Sequence, residues 1–379
     1  QEDSSLMADM GITQYRMGLE WARLEPRRGE FNQEAWDHYR QEIELLKVKG
    51  ITVLLTLHHF TNPLWFEEMG AFEHPDCIPI FLDFVHKVVT ELGDLVAEYI
   101  TINEPNVYAS HGWFFGLWPP GKKSMFRTFC VIKNLCICHI KAYNLIHHLR
   151  SQQGFPDTRV SYAHHMRSFV PRNRKNLLHV LTTPLVHRLF QSCISRAFLT
   201  GRPTWPIGRM KGIRRGLYCD FHAVNYYTRT AVSGLKDSVL PGVPVNDLGW
   251  EIYPEGLAEN IQELTALASL PVYITENGTC DNTDSFRSRY IYEHLAVIVS
   301  HGLPVERYYH WCFTDNFEWL EGFSSRFGLI HVDYVSLERR LKESAGFYTR
   351  MIAEGGVSEE AFAHYCKQDY TRKSQEERA

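Results

Sequence analysis

The sequence predicts an α/β fold in which parallel strands are joined by right-handed helical crossovers, and three observations predict it. Short apolar, β-branched runs alternate with longer stretches of helical periodicity along nearly the whole chain. Two of the runs, 99–105 and 272–278, end in a glutamate followed within two residues by Pro or Gly, so the polar candidates collect at the carboxyl ends of strands, where α/β barrels build their sites. The 379 residues, 44% hydrophobic and 13% aromatic, fit one α/β barrel with a large core.

The elements follow in order. Residues 1–10 read as the end of an amphipathic helix, with Leu6, Met7 and Met10 at helical spacing and Gly11 as its stop. Residues 12–19 form a strand carrying Arg16. After a loop at 26–29, an amphipathic helix over 32–49 is closed by Gly50. The strand 51–57 ends in His58-His59-Phe60. A helix over 77–92 leads to the strand of Glu104, and beyond the aromatic loop 113–120 a helix spans 131–152. A strand at 160–164, an irregular region containing Pro and Arg, and a strand over 221–227 come next. Gly and Pro in 235–247 predict a mobile loop. The helix 255–268, the strand of Glu276, the helix 289–301 and a strand over 307–314 complete seven strands. The whole of 1–379 reads as one catalytic domain, with a frayed tail after about residue 366.

Val272-Tyr273-Ile274-Thr275 is a strand buried on both faces, yet it ends in Glu276. Burying an ionisable group is costly, and a core ion pair with an arginine is the plain explanation for one such glutamate. Tyr99-Ile100-Thr101-Ile102-Asn103 ends the same way in Glu104, and a second instance suggests paired catalysis. Two carboxyl groups whose environments push their pKa values apart are the minimum kit for hydrolysing a glycosidic bond, one holding a proton for the leaving oxygen and the other staying ionised.

Thr101-Ile102-Asn103-Glu104-Pro105 resembles the acid/base motif, and Ile274-Thr275-Glu276-Asn277-Gly278 the nucleophile motif, of glycoside hydrolase family 1, the β-glucosidase family; both stand in the family's order. The resemblance covers residues 2–353 and implies a TIM (β/α)8 barrel. The family has one further strand before the position of Gln1, so strand 1 is expected to be missing from this chain. The resemblance implies that Glu104 is the acid/base and Glu276 the nucleophile. It places Arg16 beneath the nucleophile, where a fixed cation would hold Glu276 ionised. It makes His59 a partner of a sugar hydroxyl beside Asn103, and places Asn225 and Tyr227 in support, with the Tyr227 phenol donating to Glu276. Phe60 departs from the family's usual Trp, keeping an apolar wall and losing an indole donor.

The segment Trp311-Cys312-Phe313-Thr314-Asp315-Asn316-Phe317-Glu318-Trp319 supplies what a monosaccharide needs, an aromatic platform and a carboxylate for hydroxyls. Trp311 fits the platform, and Glu318 with Trp319 fits the rim around the outer hydroxyls; the structural alternative is a helix start at 316–319. Glu318 would repel a phosphate, so an unphosphorylated glycoside is expected.

The net charge of −4 leaves no overall basic footprint, so the expected partner is a small neutral β-glycoside or oligosaccharide, with neither nucleic acid nor membrane. No uninterrupted apolar run reaches the roughly 18 residues that span a bilayer. Nine scattered cysteines read as reduced thiols in a cytoplasm. Cys136-Ile137-Cys138-His139 lacks the second ligand pair zinc needs, so these cysteines read as buried small hydrophobes, and no metal or organic cofactor is expected. The expected activity is a retaining β-glycosidase, β-glucosidase-like with β-galactosidase or β-fucosidase tolerance. The rivals are a sugar-binding pseudoenzyme and a transglycosidase. The oligomeric state is left open.

Overall fold

A computed structural model describes residues 2–202 and 204–372, and the described residues form two compact units: 2–8, 13–165 and 188–223 in one, and 9–12, 166–187 and 224–372 in the other.

In the first unit β1 (Gln14–Gly18), β2 (Thr52–Thr56), β3 (Glu98–Asn103) and the start of β4 (Arg159–Pro171) lie side by side in chain order. All three pairings are parallel, with Tyr15 opposite Val53, Leu55 opposite Tyr99 and Tyr99 opposite Val160. Every residue of β3 is buried, as expected of a parallel strand covered on both faces. The β3–β4 register shifts between Ile100 and Asn103, a bulge that re-aims the strand end just before Glu104.

The crossover helices start where their caps dictate. Asn32 accepts the Ala35 N–H at 3.2 Å and opens Gln33–Val48. Cys77–Leu92 turns Ile80, Phe81, Phe84, Val85, Val88, Val89 and Leu92 inward, and Phe84 stacks on Trp21 at 4.6 Å. The helix expected from residue 131 begins six residues earlier, at Met125, because Ser124 caps it. This helix, Met125–Gln152, is long and apolar enough to cross a membrane by length and composition, but 67% of its apolar window is buried inside the protein.

In the second unit the end of β4, then β5 (His222–Ser233), β6 (Val272–Asn277) and β7 (Val305–His310) follow in that order, with β6 and β7 parallel. Leu257, Ile261 and Leu264 of the helix Glu255–Leu267, one face at i, i+4, i+7, pack with Met166, Val224, Tyr226, Val272 and Ile274.

Several boundaries differ from the sequence reading. β4 runs to Pro171 instead of stopping at 164, and the region read as irregular holds the helices Leu177–His187 and Cys193–Thr200. The loop expected to be mobile at 235–247 is pinned twice: Lys236–Ser238 folds back on β5, and Pro244–Val245 pairs with Thr371–Arg372. That pairing, with the Tyr370 hydroxyl donating to Glu293 at 2.6 Å, also ties down the start of the tail read as frayed. Residues 373–379 of that tail lie outside the described residues. β7 ends at His310, not 314, because the chain turns away and Thr314 bridges to Ile330. Beyond it the hairpin Ile330–Val332 with Arg339–Leu341 and the helices Glu343–Glu354 and Glu359–Tyr365 were not foreseen.

Burial keeps five histidines neutral. It lowers His58 and His294 to about 4, and His59, His139 and His310 to about 3, with loss of solvation the first cause in each. The unfolded chain protonates these groups near pH 6.5 and so binds more protons than the folded chain from there down to their folded pKa values. Stability is therefore full above about pH 6.5 and falls as the pH drops. Thermal melts should show a steady loss of Tm from pH 7 to pH 5, each histidine contributing up to about 1.4 kcal/mol per pH unit in that window. A Tm that stays level or rises on acidification contradicts this.

Candidate active site

β3 delivers Asn103, and Glu104 follows at φ 42°, the residue before the short helix Pro105–Ala109. Pro105 disfavours a right-handed helical conformation for Glu104, and a left-handed Glu persists only where its surroundings hold it. Its N–H donates to the Ala163 carbonyl at 2.8 Å, and its own carbonyl accepts from Tyr108 at 3.0 Å. Glu104 is 5% exposed, and its Oε1 lies 3.0 Å from His165 Nδ1. One proton can sit between these atoms, on the carboxyl or on the imidazole. His165 was missed because the strand was ended one residue short of it. The available signal was the His-His pair His164-His165 at the end of a predicted strand, matching His58-His59 just after β2.

Asn103 is oriented by what its neighbours can do. Arg16 can only donate, so the contact at 2.6 Å from its Nη2 fixes Asn103 Oδ1 toward it, while Arg16 Nε donates to Thr56 Oγ1 at 3.1 Å. The Asn103 amide nitrogen then donates to His59 Nε2 at 3.0 Å, which puts the His59 proton on Nδ1. Burial first and the Arg16 charge second lower the His59 pKa to about 3, so the ring stays a neutral, oriented donor. Phe60, at φ 72°, sets its ring 4.8 Å from Trp118 and keeps the apolar wall expected of it.

In the second unit Glu276 stands at the end of β6, 4% exposed, and accepts a 2.6 Å hydrogen bond from the Tyr227 hydroxyl on β5. Its neighbours lock the strand end. Thr275 donates to Asn225 Oδ1 at 2.6 Å; Asn277 donates to the Tyr226 carbonyl at 2.7 Å and accepts from Tyr308 at 2.8 Å. A Cβ at Gly278 would lie 1.9 Å from the Trp311 carbonyl oxygen, so only glycine fits there. Tyr227 packs with Cys280, Cys312 and Phe327, with Trp250 and Trp311 against the cluster.

Trp311 Nε1 reaches Glu318 Oε2 at 3.4 Å, bringing the expected platform and rim together. Trp319 follows at φ 47° in a single 3-10 turn, Trp319–Glu321, which is all that exists of the alternative helix start. The loop hangs on Asp315, which no sequence argument singled out. Its fully enclosed carboxylate takes Arg326 and Lys342 at 2.8 Å each and the Gly328 N–H at 3.0 Å. Among the described residues no group of three or more His, Cys, Asp or Glu is placed to hold a metal ion. Cys136 and Cys138 are core, and His139 Nδ1 pairs with Thr101 Oγ1 at 2.8 Å.

Each unit thus carries one strand-end carboxyl with its own partners. The description "Glycosyl hydrolase family 1" matches residues 1–206 and 218–357. Beta-glucosidase A of Thermotoga maritima is 26% identical over 95% of this chain and 86% of its own length. Galactolipid galactosyltransferase SFR2, chloroplastic, of Arabidopsis thaliana is 26% identical over 94% of this chain, which spans 57% of that protein. A solved beta-glycosidase from Pyrococcus horikoshii superposes at a TM-score of 0.85 with 32% identity, covering 97% of this chain and 87% of that one. The chain therefore belongs to glycosyl hydrolase family 1: it is a glycoside hydrolase with the TIM barrel fold expected from its alternating strands and helices.

Proposed function

We propose that the chain is a retaining β-glycosidase that hydrolyses short, unphosphorylated β-glycosides from the non-reducing end, β-glucosides first, with tolerance for β-galactosides and β-fucosides. It works as one catalytic domain in the cytoplasm; its nine free cysteines support a reducing compartment. The observation that carries the reading is the 2.6 Å hydrogen bond from Tyr227 to Glu276. A phenol that can only donate to a carboxylate favours its ionised form, and only that form attacks an anomeric carbon.

In the first step a Glu276 oxygen bonds to the anomeric carbon while the bond to the leaving oxygen breaks, and Glu104 transfers its proton to that oxygen. In the second, Glu104 takes a proton from water, the water oxygen replaces Glu276, and two inversions give net retention. His165 positions the Glu104 carboxyl through the 3.0 Å contact. Arg16 favours the charged nucleophile. His59, Asn103, Trp311, Glu318 and Trp319 hold the sugar. The relative named a beta-glucosidase supports this reading. The relative named a galactosyltransferase supports a second one, in which an alcohol replaces the water. Product analysis with an added alcohol separates them: free sugar marks the hydrolase, a new glycoside the transglycosidase. Binding without either product marks a pseudoenzyme.

Glu276→Gln should fold, with an unchanged melt, and show no turnover of nitrophenyl β-glucoside. Azide added to Glu276→Gly should return an α-glycosyl azide; full hydrolysis by Glu276→Gln would end the nucleophile assignment.

Glu104→Ala should lose about 10²- to 10⁴-fold on substrates with poor leaving groups and far less on activated ones, since only the former need a proton in the transition state. Equal losses on both would remove Glu104 from the acid role.

A further inference from the structure

The net charge of −4 conceals a strong asymmetry. Residues 158–219 hold twelve Lys and Arg and no Asp or Glu, so the total divides into +12 there and −16 over the rest. Within this run lies a helix built inside out. Leu177–His187 turns its polar side chains inward: His179 meets Ser233 at 3.3 Å, His187 pairs with Glu263 at 2.9 Å, and Thr183 is buried. Its leucines face water, Leu177 at 70%, Leu178 at 59% and Leu181 at 63% exposure. Spacings of three and four residues place them on one stripe. Arg172, Arg174 and Lys175, all exposed, lead into it. In the other unit, the same run exposes Trp205 at 62%, with the Arg188 guanidinium 5.7 Å over its ring.

We propose that the helix Leu177–His187 and its basic approach form a docking surface for an anionic lipid membrane, with the helix lying in the interface plane. Leucines exposed in a row beside cationic residues are the pattern of an interfacial amphipathic helix, whose apolar side enters the acyl boundary while the cations meet lipid phosphates. A nucleic acid would use the charge and leave the leucine stripe in water. A second copy of this face would bring like charges together. Only an anionic membrane satisfies both the charge and the apolar stripe, and the expectation of no membrane partner came from a charge averaged over the whole chain.

The test is flotation of the full chain with vesicles of phosphatidylcholine, with and without about 30 mol% phosphatidylglycerol. The chain should float with the anionic vesicles, stay behind with the neutral ones, and release in high salt. Two variants, R172E/R174E/K175E and L177S/L178S/L181S, should each cut the bound fraction about tenfold while melting like the parent. No binding to anionic vesicles, or binding that survives both sets of changes, overturns the proposal. So does tight binding to a DNA duplex that the leucine changes leave intact, or sedimentation showing a dimer that those changes dissolve.

Discussion

Removing a carboxylate from water costs several kcal/mol unless donors take the water's place, and the architecture answers to that cost at two strand ends. Glu276 is buried with a phenol supplied by the neighbouring strand, and Glu104 is buried against an imidazole supplied by the next strand over. In each case the partner sits on the adjacent strand of the sheet, so its distance is set by ladder hydrogen bonds and not by a flexible loop. Both glutamates stand at the ends of buried strands, and the sheet is irregular just there: the register shifts between Ile100 and Asn103 and again between Ile274 and Asn277.

The asparagines beside the glutamates do related work. Asn103 is held between a cation that only donates and a histidine that its surroundings keep neutral, which leaves it one orientation. Asn277 makes three contacts, with Tyr226, Tyr290 and Tyr308, and so ties three elements to the end of β6. A site whose residues are fixed by neighbours in this way needs little reorganisation when substrate arrives. The Trp311–Glu318 segment is the part not carried on a strand, and the fully enclosed Asp315 carboxylate with its two cations compensates by anchoring that loop.

Much of this was legible in the sequence, for physical reasons. An apolar run closed by Glu and Pro or Gly reads as a buried strand, and it is the second such run that suggests a pair of carboxyls at work; Asn32 and Gly50 bracket a helix by capping chemistry alone. What escaped depends on tertiary context. β4 continues past His164, where the sequence reading ended it, so His165, the partner of Glu104, went unseen. The helix Leu177–His187 has its leucines on the outside, against the rule by which amphipathic helices are read. Asp315 gives no local sign of its two cations, which come from residues 326 and 342 in a hairpin region the sequence did not announce.

The central claim is that Glu276 attacks the sugar covalently and Glu104 manages the proton, and the stereochemistry of the first-formed product tests it most directly. Proton NMR of nitrophenyl β-glucoside hydrolysis, followed from the earliest times before mutarotation, should show the β anomer of the free sugar appearing first. The α anomer appearing first would mean a single displacement by water and would contradict the account.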